Sequence, residues 1–566
     1  MKNKILILLG LILVSVYSCT EDFNEINERP DALTSADVSA KFFVTNLQTG
    51  LYAPNRYPYW RGPIIHADRY SGQTAFGFSA CWWNDGLGYD YSAGYTDAVH
   101  DAWLASYNSK LTAFTNFVKE GGTLENTQYY AISLIMKGLY YQLYSDTFGM
   151  VPYSEASNPD IVLPRYDELD DIYTGVIADL DQAITLIGNN TESGTGVEIL
   201  RENDLFFNGD MQAWRKLANS LKLRLALRAH GAPGADFSAT AASSAITDGV
   251  LGDQNALLQR HADGGNTWAS ATYGDVWYPF YSGGHWNLGF AFVDALRDNN
   301  DPRIRTMAKP SNGGTFSIPL PTEGENVALI DKHIGFLRGI LDDAGAQYTM
   351  EKTATTLEIT MPEGVNYVGF PTRVNGRPKP YLHTDLFSKP SDIVTNQMNT
   401  GKEIFPWVVM GAGDSHLMVA EAIVKGLSSG GNAQTHYQTG IRKNMEMWNV
   451  PEAEIATFLA NEDMAQLTGT VDEQLEKIAI QRWIANFTNG FESWAIVRDT
   501  GYPSELYDGV SDPELHALGT TLNGAYPERM RYGNSVYNTN GDNVNAANSV
   551  QGPDVQGTKL WWAKQN

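Results

Sequence analysis

Residues Phe207 to Arg228 read FNGDMQAWRKLANSLKLRLALR. Trp214, Leu217, Ala218, Leu221 and Leu225 recur at steps of three and four, the period of a helix with one apolar face. Arg224 and Arg228 stand near its C-terminal end, where the helix dipole favours cations, and Gly231 is the stop. Trp214 is read as core. Working outward, Ile132, Ile135, Met136, Leu139 and Leu143 make a second such stripe, and Val176, Leu180, Ala183, Ile184 and Ile187 a third. Both are read as one-sided helices. The third opens on YDELDD, with carboxylates in the first turn and Pro164 upstream.

Helical patterns pair across short turns: 37–52 with 97–119, 125–147 with 167–187, 211–230 with 235–248, and 414–427 with 433–447. This predicts a mostly α fold, a core of stacked helical hairpins with loops gathered over one side, although no clean sequence repeat is visible. From about 251 to 410 the pattern changes to Gly, Pro, Asn and aromatic residues with strand-like pieces such as TTLEITM, a long loop-rich insertion. Beyond 450, Thr470 and Glu473 have the spacing of a capping box ahead of the stripe Ile480, Trp483, Ile484 and Phe487. The last forty residues are polar, end in KLWW, and are ordered only if they dock.

The N-terminus reads as an export signal, residues 1–18. Lys2 and Lys4 precede ILILLGLILVSV, too short to span a bilayer but right for the apolar stretch of a signal peptide. VSVYSC resembles a bacterial lipobox, which implies lipidation of Cys19 and a membrane anchor without a span. Residues 19–36 are then an acidic, polar tether, and 37–566 form a single domain. Its helical core covers about 37–250 and 411–450, the insertion about 251–410, and the C-terminal part about 451–566. The only other cysteine, Cys81, leaves the mature domain without an internal disulfide.

A formal net charge of -25, with 40 basic against 65 acidic side chains, argues against nucleic acid, because phosphate binding needs clustered cations. Candidate catalytic patterns read as ordinary structure. GLSSG at 426–430 follows a helix, whereas a nucleophile elbow follows a strand, so it is a helix end. His416 and Glu421 lack zinc-protease spacing and the ten histidines show no ligand pattern, so no metal and no cofactor are expected. The carboxylate pairs Asp170 with Asp171 and Asp85 with Asp90 are read as solvated faces of an acidic chain.

The ordered landmarks YYQLYSDTFGMVPYSEA, YDELDDIYTGVIADLDQAI, FNGDMQAWRKLANSLKLRLALR, DPRI, SHLMVAEAIVKG and QRWIANFTNGFESWAIVRDTGYP resemble those of the SusD/RagB family over nearly the whole mature chain. The resemblance implies a tetratricopeptide-like helical hairpin core, a lipid-anchored protein on the outer face of the outer membrane, and no enzymatic activity. It also implies a SusC-like TonB-dependent transporter as partner and an oligosaccharide, polysaccharide or peptide as cargo. Under it, FESWAIVRDTGYP and SHLMVAEA are packing landmarks.

Family glycan sites draw aromatic residues from a loop after the first helix and from the insertion. Here those regions are Tyr57–Tyr91, with Trp60, Trp82 and Trp83, and 264–287, with Trp268, Trp277 and Trp286. Independently, CWWNDGLGYDY at 81–91 sets two indoles side by side among turn formers, so at least one faces water or a ligand. Sugar C–H faces stack on indole, and Asn84 and Asp85 supply hydroxyl partners within the same five residues. Trp277, Tyr281, His285 and Trp286 would supply the opposing wall. A platform of indoles with few cations suits a neutral glycan, and a β-glucan such as laminarin is the preferred choice. The alternatives are a peptide-binding lipoprotein of the same fold and, further off, a surface glycoside hydrolase, which would need two carboxylates at fixed separation.

Overall fold

Helix α1 (Lys41–Tyr52) lies against α2 (Ser106–Val118), and the Tyr107 hydroxyl donates to the Leu47 carbonyl at 3.0 Å across the pair. α3 (Thr127–Phe148) starts where the Asn126 side chain accepts from the Gln128 and Tyr129 amides. It pairs with α4 (Leu169–Ile187), and α5 (Met211–Ala229), capped by Asp210, pairs with α6 (Phe237–Asp248). Within the insertion lie α7 (Phe290–Arg297) and α8 (Ile330–Asp343), and after it comes the hairpin α9 (Ala412–Val424) and α10 (Ala433–Met447). α11 (Val471–Ala485) and α12 (Gly490–Thr500) close the core. In this computed structural model the residues described are 39–54, 56–76, 89, 93–261, 286–395, 403–428 and 430–565, and residues 41–566 form one compact unit.

The fold is mostly α, and the four hairpins expected from periodicity are present as contacting pairs. The Thr470 capping box is formed in full, with its side chain on the Glu473 amide and the Glu473 carboxylate on the Thr470 amide. α3 departs from the one-sided pattern: it is buried almost all round, because α1, α2, α4, α5 and α12 surround it. The approach is close enough that a Cβ on Gly138 would lie 3.0 Å from Leu221. Glycine also sets the α9–α10 crossing, where a Cβ on Gly440 would meet the Gly413 carbonyl at 2.8 Å.

Strands are short: β1 (Thr74–Phe76), β2 (Ala256–His261), β3 (Trp286–Leu288), β4 (Gly314–Pro319), β5 (Thr349–Lys352), β6 (Thr356–Met361) and β7 (Glu403–Met410). The insertion is more ordered than its composition suggests. β4, β6 and β5 form an antiparallel sheet in that spatial order, and α8 packs Ile334, Leu337 and Leu341 against Leu357, Ile359 and Met361. All but the first residue of TTLEITM form β6, with alternate residues turned to that small core. The C-terminal tail docks: Trp562 is fully buried, and its indole N–H donates to Asp146 at 3.0 Å.

Arg224 and Arg228 do not simply answer the helix dipole. Both are buried in an ionic network that joins five helices. Arg224 of α5 pairs with Asp414 of α9 at 2.9 Å and Glu492 of α12 at 3.2 Å, while Arg228 pairs with Asp146 of α3 at 2.5 Å and Glu492 at 2.6 Å. Arg482 of α11 reaches Asp414 at 2.9 Å and Glu421 at 2.7 Å. Burial alone would raise the Asp414 carboxyl, but Arg482 and Arg224 hold it below the usual carboxylate range. Asp499, also buried, goes the other way: burial pushes it up to about 7, and Lys425 and Arg228 offset only part of that.

Two outcomes follow from the network. Glu492→Gln leaves three guanidiniums, those of Arg224, Arg228 and Arg482, without their shared carboxylate and should cost about 3–5 kcal/mol, read as a lowered urea midpoint. A carboxyl raised in the folded state stabilises it below the unfolded pKa and loses that contribution as pH rises through about 7. Asp499→Asn, which stays neutral, should therefore gain on the wild type in urea midpoint between pH 5 and pH 8, and an unchanged difference would refute the assignment.

Candidate functional site

Phe76 ends β1 and Trp286 begins β3, and the two residues face each other in antiparallel register. The remaining pairs are Ala75 with Asn287 and Thr74 with Leu288. The last described residue before 77–88 and the first described residue after 262–285 are therefore strand neighbours. The first stretch carries Trp82, Trp83, Asn84 and Asp85, and the second carries Trp277, Tyr281 and His285. All seven lie outside the described residues, so what the structure defines is the base from which both stretches spring.

That base is fixed by backbone bonds. The Gly289 amide donates to the Gln73 carbonyl at 3.0 Å, and the Phe370 amide donates to the Leu288 carbonyl at 2.8 Å. Asn287, buried, donates its side-chain amide to the Thr384 carbonyl at 3.0 Å. Only glycine fits at 289, where a Cβ would fall 1.9 Å from the Gly72 carbonyl oxygen. Gln73 donates to the Trp483 carbonyl at 2.6 Å, tying β1 to α11 and so to the helical core.

Beyond the first stretch, Tyr89 is a second fixed point. It is 4% exposed, its hydroxyl donates to the Arg69 carbonyl at 3.0 Å, and its own carbonyl accepts from Tyr70 and Gln556. The Arg373 guanidinium lies 4.9 Å from its ring centroid. Burial raises the Tyr89 phenol, so it stays a neutral donor.

The two described members of the expected aromatic set are packed inward. Trp286 is 0% exposed, because its place at the start of β3 turns it into the core. Trp60 is 5% exposed within a π-helical run, Trp60–Ala67, its ring 5.8 Å from Tyr95 with the Arg61 guanidinium 5.6 Å away. Neither presents a free indole face here. Among the described residues every tryptophan except Trp561 is buried, leaving Trp82, Trp83, Trp268 and Trp277 in the two stretches.

The structure also clarifies the catalytic patterns. GLSSG sits at the end of α9, with Gly426 at φ 73°, so no strand precedes its serines. Asp170 and Asp171 occupy the first turn of α4. His416 and His436 meet across the α9–α10 hairpin with Nδ1 atoms 3.1 Å apart, and burial lowers both imidazoles, keeping them neutral near pH 7. Among the described residues no group of three or more His, Cys, Asp or Glu stands ready for a metal, and no helix is long and apolar enough to cross a membrane.

Comparison with known proteins gives a single answer. The SusD-like family model, described as starch-binding and associating with the outer membrane, matches residues 37–326 and 366–533. The unmatched interval contains α8, β5 and β6. Among solved structures, a chitin-binding protein is similar at 23% identity and TM-score 0.68, covering 93% of this chain and 99% of its own. A chitin-binding SusD homologue from Flavobacterium johnsoniae is similar at 20% identity and TM-score 0.68, over 93% and 98% of the two chains. A SusD homologue from Bacteroides thetaiotaomicron is similar at 19% identity and TM-score 0.67, over 94% and 100%. No curated protein sequence matches significantly.

Replacing Trp286 by Ala should open a cavity at the β1–β3 base and cost about 3–5 kcal/mol of stability. A thermal midpoint equal to the wild type would mean the indole is not core.

Proposed function

The chain belongs to the SusD-like family, a family of non-catalytic binding proteins, and from that premise we propose that it is a glycan receptor lipidated at Cys19 and exposed on the outer membrane. The receptor captures a neutral glycan chain and passes it to a SusC-like TonB-dependent transporter. One observation supports the reading: Phe76 and Trp286, the described residues that border the two tryptophan-rich stretches in sequence, are paired in register. The rest of the tryptophan supply is almost wholly spent on the core. Aromatic residues concentrated on two neighbouring stretches suit a sugar ring held between apolar faces, with Asn84 and Asp85 taking its hydroxyls.

In this reading Trp82, Trp83 and Trp277 are the stacking platforms, and Tyr281 and His285 the polar partners opposite. Trp60 and Trp286, both buried, are packing residues and not platforms. The scarcity of cations in both stretches disfavours sulfated and uronic polymers. A neutral β-glucan such as laminarin is the proposed cargo, and the chitin-binding proteins of similar fold make a neutral amino-acetylated glucan the comparison of most interest.

Native affinity electrophoresis of the mature protein tests this in gels containing laminarin, glycol chitin, starch, xylan, mannan or a protein hydrolysate. One neutral polysaccharide should retard it, and Trp83→Ala and Trp277→Ala should each weaken binding by about 1–3 kcal/mol, the worth of one anchoring aromatic. Retardation by the hydrolysate alone would favour a peptide receptor. Undiminished affinity in both variants would remove these residues from the site.

A further inference from the structure

A cavity of about 400 Å³ opens where α8 meets α7, the segment 368–373 and the C-terminal segment 505–516, with Tyr89 at one side. Its volume falls within the range of small-molecule sites, about 300–1,000 Å³. Phe290, Phe336, Ile340, Val368, Leu506 and Val510 give it apolar walls, and the carboxyls of Asp294, Asp343, Glu505 and Asp512 supply polar groups among them.

The cations nearby are already engaged. The Arg373 guanidinium donates to the carbonyls of Gly524 at 2.7 Å, Ala525 at 2.9 Å and Leu518 at 2.5 Å. Arg297 pairs with Asp294 at 2.7 Å and Asp298 at 2.7 Å, and Lys332 pairs with Asp512 at 2.9 Å. His516, packed edge-on to Phe336 with ring centroids 5.5 Å apart, is held neutral by burial. Among the described residues no ion pair engages Asp343 or Glu505. Apolar walls with acceptor-rich carboxyls and no uncommitted cation match a ring that has C–H faces and donates from hydroxyl or ammonium groups. They repel one that carries a carboxylate or sulfate.

We propose that this cavity is a second saccharide subsite, which takes the end residue of a glycan chain and prefers one bearing an amino group over one bearing a carboxylate. It rests on the glycan-receptor reading and extends it. Walls from four separate elements suit a chain end better than the middle of a polymer. Phe336, Ile340 and Asp343 come from α8 and Ala344 from its C-cap, inside the interval 327–365 that the family model does not match. Tyr89, the fixed residue that follows 77–88 in sequence, forms part of the cavity wall.

Burial pushes the Asp294 carboxyl up to about 6, against the pull of Arg297, and also raises that of Glu505. A ligand ammonium would relieve both by giving their charged forms a partner.

Saturation-transfer NMR and titration of the mature protein at pH 7 with glucosamine, glucose and glucuronate test the proposal. Glucosamine should bind about fivefold more tightly than glucose, the return on one half-exposed ion pair, and glucuronate more weakly than either. Ile340→Trp, which fills the cavity, should abolish the response to all three sugars while leaving polysaccharide retardation through Trp83 intact. Glu505→Gln, a milder change, should erase the preference for glucosamine and retain glucose binding. No response to any of the three sugars overturns the subsite, as does glucuronate binding as well as glucose or sugar binding unchanged in Ile340→Trp. Retardation by a polysaccharide with no small-sugar response would overturn only the subsite. A glucosamine response lost in Ile340→Trp without any polysaccharide retardation would uphold the cavity as an amino-sugar pocket and overturn the receptor reading.

Discussion

Four carboxylates and three guanidiniums, drawn from five helices and buried together, hold this fold in register. Asp146, Asp414, Glu421 and Glu492 face Arg224, Arg228 and Arg482 at hydrogen-bonding distance. Taking such groups out of water is costly, and only close pairing with further hydrogen bonds offsets the cost. Those further bonds are present: Gln142 donates to Glu492 at 3.0 Å and the Tyr173 hydroxyl donates to Asp146 at 2.5 Å. A shift of any one helix would break several of these bonds at once. The network thus specifies the helix arrangement, while the apolar stripes supply most of the burial.

The rigidity reaches the binding region through a short chain of contacts. α12 carries Glu492 and follows directly on α11, whose Trp483 carbonyl accepts from Gln73 at the start of β1. β1 then pairs with β3, so the base of both tryptophan-rich stretches is referred to the ionic core. On the other side, Arg373 ties the insertion to the C-terminal segment through three carbonyls and to Tyr89 through its ring. Rigid helices thus set the spacing of the base, the paired strands β1 and β3.

The helical elements were legible because their signals are local. Asn126, Asp210 and Thr470 cap helices through bonds to amides two or three residues away, and a stripe such as Val176 to Ile187 declares its buried face by period alone. The family landmarks are the same helices seen as ordered words. The insertion was harder to read. Its small sheet pairs β4 with β6 across about forty residues of chain, and a loop-like composition conceals a core that forms only when α8 folds over it.

The sequence by itself determined where helices start, stop and pair, that the chain is mostly α, and that six of its fourteen tryptophans fall in two stretches. Only the tertiary structure decided which tryptophans are spent inside: Trp60 and Trp286 sit in aromatic-rich stretches, yet register and packing turn both inward. It also decided that Arg224 and Arg228 are core residues, because their partners lie on helices far away in sequence and no local pattern marks such a pair. The cavity beside α8 belongs to the same class. Periodicity reports one element's preference for burial, whereas charge pairing and enclosed volume are properties of several elements at once, and they exist only after those elements have met.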